Sequence, residues 1–216
     1  MLIRPPDRAL DEDEWRAFLG EHDFGQLIVP RGEGLPIVVP THFVLDQNGD
    51  VLFHLARENP AFEALGAGRA VLFTVIGAYT YIPTDWNANP GADTQYGIPT
   101  SYYVAVQLAG DASVIDGAGD VAAILALQLA HFQPEGGHAP VGPGDEPYGR
   151  ALASIRGIRL RVRSVQAKFK VGGNKSAAHR REIADHLARR GRPLDLEARD
   201  HLLRRLDAQE PKGSAA

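Results

Sequence analysis

The stretch Leu35–Ala56 reads LPIVVPTHFVLDQNGDVLFHLA, and its pattern decides the class of fold. Branched and aromatic residues crowd two runs, Leu35 to Leu45 and Val51 to Ala56, on either side of Asn48-Gly49. Such side chains fit the pleated surface of a strand, and an Asn-Gly pair tolerates the positive φ of a tight hairpin turn. The stretch therefore predicts two antiparallel strands. Working outward, Phe24 to Val29, Ala70 to Ile76, Tyr102 to Leu108, Ile155 to Val162 and Val165 to Val171 repeat this apolar character between Gly, Asn and Asp turns. Helical signals are fewer. Asp11 to Glu14 resembles a capping box before Trp15, Phe18 and Leu19, and Asn59-Pro60 opens a short helix over Ala61 to Leu65. Asp120 to Phe132 is apolar and alanine-rich, and Ser176 to Arg190 and Asp195 to Leu206 form two basic amphipathic helices split by Gly191-Arg-Pro193. Evenly spaced short strands with few helices between them predict an antiparallel barrel rather than a βαβ sheet.

Composition narrows the class further. The chain of 216 residues has 44% hydrophobic and 23% charged residues, the balance of a globular protein with one domain and appendages. It contains no cysteine, which excludes disulfides, thiolate metal sites and cysteine nucleophiles together. The N-terminal residues carry charge and proline where a signal peptide needs an apolar run, and no stretch approaches the ~20 apolar residues of a membrane span. The expectation is a soluble cytoplasmic protein with no membrane partner. Charge is distributed unevenly: residues 1–155 hold 7 Lys+Arg against 20 Asp+Glu, a net −13, whereas residues 156–216 hold 16 against 7, a net +9. A basic end of this kind invites an anionic partner.

Three segments in a fixed order carry a resemblance. They are Pro36 to Phe43 with its Thr-His pair, Phe53 to Pro60 reading FHLARENP, and Lys170 to Lys175 reading KVGGNK. Between them lie Ala78 to Trp86, AYTYIPTDW, and Ile98 to Tyr103, IPTSYY. Together they resemble the PaiB-like FMN-binding negative transcriptional regulators, a branch of the pyridoxamine-phosphate-oxidase-like FMN-binding split barrels. The chain departs from that pattern in three places. Gly172 and Gly173 replace a Ser-Gln pair, Ser101 replaces a tryptophan, and Asn87 to Gly97 is inserted between two motifs. The resemblance implies a mainly β (α+β) fold, a six-stranded antiparallel split β-barrel with short helices and a C-terminal helical extension. The domains would be an FMN-binding split barrel over residues 1–175, a basic helical extension over 176–208, and a disordered tail over 209–216. It also implies a flavoprotein that works as a homodimer, with FMN at the subunit interface, and that represses transcription. Two alternatives stay open, a flavin-dependent oxidoreductase of pyridoxamine-phosphate-oxidase or flavin-reductase type, and a haem-binding split-barrel protein with one histidine on the iron.

By the same resemblance the cofactor-binding residues are Thr41, His42, His54, Leu55, Ala56, Arg57, Asn59, Lys170, Asn174 and Lys175. Their chemistry suits FMN. Arg57 can fork onto phosphate oxygens, backbone N–H groups at the Asn59-capped helix start attract an anion, and Lys170 and Lys175 add charge. The aromatic group Tyr79, Tyr81, Trp86, Tyr96, Tyr102 and Tyr103 either walls a ring pocket or packs a dimer face. Eight histidines show no metal-ligand spacing, so no metal site is expected, and no catalytic residue stands out. At the basic end, Arg189, Arg190, Arg204 and Arg205 are the candidate DNA contacts. The competing reading is that these basic residues neutralise the acidic first 155 residues.

Overall fold

The computed structural model describes residues 1–66 and 68–209; nearly all of the predicted disordered tail, 210–216, lies outside the described residues. In chain order the elements are α1 (Glu12–Glu21), β1 (Phe24–Val29), β2 (Ile37–His42), β3 (Val44–Leu45), β4 (Val51–Ala56), α2 (Ala61–Leu65), β5 (Arg69–Ile82) and α3 (Thr84–Asn87). There follow β6 (Thr100–Ile115), α4 (Ala118–Phe132), α5 (Tyr148–Ala151), β7 (Ile155–Lys170), α6 (Ala177–Arg190) and α7 (Pro193–Gln209).

The sheet has seven strands in the order β2-β1-β5-β6-β7-β4-β3, not the six expected. The difference lies in Leu35 to Leu45. That run breaks at Phe43 because its two parts serve different neighbours: β2 pairs antiparallel with β1, and β3 pairs antiparallel with β4. The two segments read as separate strands at Ile155 to Val162 and Val165 to Val171 are instead one strand, β7. Among the turns, Gly49 supplies the positive φ of the β3–β4 hairpin, with Asp46 Oδ1 accepting from the N–H groups of Asn48 and Asp50.

The chain divides into two compact units. One comprises residues 1–17, 76–106 and 166–216, and the other residues 18–75 and 107–165. In the second unit, Phe43 and Phe53 each pack their rings on Phe73, at 5.0 and 5.6 Å between centroids. Ile124 of α4 packs with Val44 and Leu52, and Gly157 on β7 leaves the space that the Ile124 and Ile115 side chains fill. Strands β1 and β2 alternate strictly. Gly25, Leu27, Val29, Val39 and Thr41 are buried, while Phe24, Gln26, Ile28, Val38, Pro40 and His42 share the other, outward face.

In the first unit α6 and α7 form a helical hairpin whose buried residues include Ile183, Leu187, Ala198, Leu202 and Leu206. Ser176 Oγ caps α6 by accepting from the His179 N–H, and Gly191 ends it in the left-handed conformation at φ 63°. Two buried ion pairs tie this hairpin down. Arg205 grips Glu14 of α1, and Arg190 grips Asp195, whose Oδ1 also accepts from Thr80 Oγ1 at 2.5 Å. The Arg190 guanidinium also lies over the Trp86 ring, 4.5 Å from its centroid.

These bonds, the Arg190 one foremost, hold the Asp195 carboxyl down at about 2 against an ordinary 3.8. A depressed carboxylate stabilises the fold above its unfolded pKa, and the contribution fades as pH falls through the folded value. Between pH ~4 and ~2 the protein is expected to lose about 2 kcal/mol through this group. Urea unfolding across that range checks it. Asp195→Asn should flatten the acid limb, and an unchanged limb would show that the pair contributes nothing.

Candidate cofactor site

Seven of the expected cofactor residues fall in the second unit. Thr41 is buried on β2, and its hydroxyl donates to the His42 carbonyl at 3.1 Å. The half-buried His42 ring meets His54 and Phe132 edge-on, at 5.5 and 5.1 Å between centroids. Desolvation, then the His54 charge, lowers the His42 pKa against the opposing pull of Asp23, which favours the neutral imidazole. His54 Nδ1 lies 2.6 Å from Gln128 Oε1 of α4, a contact in which the ring N–H donates to the amide oxygen. The other amide atom, Gln128 Nε2, is a buried donor with no partner. Leu55 is buried and Ala56 exposed at the end of β4.

The anion-binding geometry expected at Arg57 and Asn59 is different. Arg57 Nε donates to the Ala153 carbonyl at 2.8 Å and Nη2 to the Ile155 carbonyl at 3.3 Å, while Nη1 stands 3.6 Å from Asp116. Its fork is thus turned onto its own backbone, and only Nη1 is left for a phosphate. Asn59 Oδ1 accepts from the Ala61 N–H at 3.0 Å, so the cap is present as read. The helix it opens has five residues, too few for a strong macrodipole, and its first free donor is already taken.

Lys170, Asn174 and Lys175 belong to the first unit, where they line a cleft of about 490 Å³ with Arg4, Thr100 and Tyr102. Sequence reading missed Arg4 here, and missed Gln128 and Phe132 beside His54 and His42. Gln128 did leave a signal, as a lone amide in an otherwise apolar helical run. Of the four arginines expected to meet DNA, Arg190 and Arg205 are committed to internal carboxylates, and the Arg205 side chain is only 3% exposed. Those two correct the DNA expectation. Arg189 and Arg204 are exposed, each close to a histidine one turn earlier, His186 and His201.

The strand residues suit one part of a flavin. A flat isoalloxazine ring needs an apolar face and polar groups that can hydrogen-bond to its edge. His42, His54 and Gln128 supply those groups next to the outward apolar face of β1 and β2. Fold and donor set together define a flavin-binding split-barrel protein. Residues 1–164 match the family described as "Putative FMN-binding domain", and the chain belongs to that family. It is 24% identical over 189 residues to "Protease synthase and sporulation protein PAI 2" of Bacillus subtilis, covering 84% of this chain and 86% of the relative. Among solved structures it is similar to the FAD and haem binding protein of Mycobacterium smegmatis, with a TM-score of 0.58 and 17% identity over 82% of this chain and 78% of the other. The flavocytochrome Anf3 of Azotobacter vinelandii matches with a TM-score of 0.56 and 17% identity, over 76% of this chain and 69% of that one. No described helix is long and apolar enough to cross a membrane, and no described cluster of His, Asp and Glu has the makings of a metal site.

Proposed function

We propose that this chain is an FMN-dependent homodimer in which the flavin ring lies against Thr41, His42, His54, Leu55 and Ala56, with Arg57 and Asn59 toward its phosphate end. The observation that supports this reading best is the edge-on His42–His54 pair at the head of the outward face of β1 and β2. Bound FMN supplies a reversible two-electron acceptor. Around it, His54 Nε2 accepts a hydrogen bond or a proton, His54 Nδ1 stays fixed on Gln128, and the apolar face excludes water. The dimer would cover that face. Phe24, Val38 and Pro40 are exposed on it, and β2 is an edge strand that needs covering.

The test is titration with FMN and, separately, with riboflavin, followed by quenching of flavin fluorescence. Arg57→Ala should weaken FMN binding ~10- to 100-fold through one charge-assisted contact. Riboflavin, which has no phosphate, should bind the variant as it binds the parent. Equal loss for both ligands would assign Arg57 to holding the Ala153 and Ile155 backbone instead. The absorption spectrum of the purified protein separates the cofactors, flavin bands in the blue and near ultraviolet against the Soret band of a haem.

Transcriptional regulation is the second reading, carried by the resemblance of the ordered motifs to the PaiB-like regulators. Much of the basic end is engaged within the chain: Arg156 is bidentate on Asp116, Arg159 reaches Asp46, and Arg163 reaches Asp111. Of the expected contacts, a regulator would present Arg189 and Arg204 to DNA. Retention of chosen genomic fragments at about 0.15 M salt, lost on Arg189→Ser with Arg204→Ser, is the result that reading needs.

A further inference from the structure

The last turns of α4 gather side chains around His42 and His54 that no sequence motif announced. Gln128, His131 and Phe132, spaced three and four apart, share one face of that helix. Each meets a residue near the strands of the same unit. Gln128 Oε1 accepts from the His54 ring, Phe132 lies edge-on to His42, and His131 Nε2 stands 3.0 Å from the Asp23 carboxylate just before β1. Gln128 is only 2% exposed, whereas the His131 and Asp23 side chains reach solvent. His131 also sits at the negative end of the helix dipole, which favours its imidazolium.

Two imidazoles with centroids 5.5 Å apart form a charge-sensitive pair. Burial and the His54 charge both oppose a proton on His42, and the Asp23 carboxylate offsets part of that opposition. The strand residues directly opposite are uncharged: Phe24 faces His42 from β1, and Gly157 faces His54 from β7. The balance is therefore open to a new charge. One negative charge brought within ~5 Å, at an effective dielectric constant of about 20, raises a proton affinity roughly 100-fold or more. Gln128 is matched to such a change. Its Oε1 accepts from Nδ1 whether the ring is neutral or charged, so a proton arriving at Nε2 leaves the ring where it is.

We propose that two-electron reduction of the bound flavin is coupled to uptake of a proton by the His42–His54 pair, with Gln128 as its positioning residue and the Asp23–His131 ion pair as its tuning charge. The inference rests on the strand residues being the flavin site. A hydride donor of the dihydronicotinamide class breaks one C–H bond and delivers that hydrogen with both electrons, which leaves one negative charge on the cofactor. The proton that balances it comes from water and bonds to His54 Nε2. Electron affinity and proton affinity then reinforce each other, because each is greater once the other has been satisfied.

The midpoint potential of the FMN-loaded protein, followed by spectroelectrochemistry as pH is raised above ~7, counts the protons. Each proton taken up per two electrons contributes about 30 mV per pH unit, so the protein is expected to show about 59 where free FMN shows about 30. The imidazole resonances of the same protein provide a second reading: His54 should move to its charged form on reduction with dithionite and return on reoxidation. Replacing the pair, His42→Asn with His54→Gln, should bring the slope back to one proton. Gln128→Glu should do the same for a different reason, since a carboxylate on Nδ1 keeps His54 charged in both redox states. Bound FMN with a one-proton slope in the parent protein, or a two-proton slope that persists without the pair, overturns the proposal and leaves the flavin reading standing. Flavin fluorescence that stays unquenched shows that FMN does not bind, and overturns both.

Discussion

Arg205→Ala is expected to destabilise the protein by about 3–5 kcal/mol, the usual cost of removing one partner from a buried ion pair. Arg205 Nη1 donates to both carboxylate oxygens of Glu14, at 2.8 and 2.7 Å, and Nη2 donates to the Arg8 carbonyl at 2.8 Å. With the guanidinium gone, a Glu14 side chain only 16% exposed keeps its charge and loses its counter-ion. The Arg8 carbonyl loses a donor as well. Arg150, 86% exposed and paired only with the exposed Glu146, provides the control: Arg150→Ala should change stability by no more than ~0.5 kcal/mol. Urea unfolding of the two variants tests this contrast. Equal small effects would mean that the Arg205 pair contributes little to stability.

The second large effect is expected on assembly. Val38→Asp places a carboxylate on the outward face of β1 and β2, opposite Ile28 in the register. A two-fold dimer presents each residue twice, and a charge brought into an interface costs about 2 kcal/mol or more per copy. Dimer dissociation should therefore increase at least ~100-fold, and FMN affinity should fall with it. The isolated chain should tolerate the change, because Val38 is 49% exposed on it. Light scattering at micromolar concentration, with circular dichroism to confirm folding, is the measurement. A folded variant of unchanged mass would place the interface elsewhere.

Branched and aromatic runs between turn residues made β1 and β4 legible from sequence, and an alanine-rich apolar run and the breakers around Gly191 located α4, α6 and α7 within a few positions. These features are local: the pleat and the helical turn act over two to four residues. The ordered motifs likewise placed His42 and His54 on strands, now seen edge to edge. What sequence left undecided depends on partners far along the chain. The break at Phe43 follows from β2 and β3 pairing with different strands. The inward turn of Arg57 follows from carbonyls nearly a hundred residues away, at Ala153 and Ile155. Arg190 and Arg205 read as part of a basic surface until Asp195, Thr80 and Glu14 close on them. Net charge and periodicity are properties of the sequence alone. Which cation is neutralised is settled only when folding brings a carboxylate within ~4 Å, since in water a pair much farther apart is screened to little consequence.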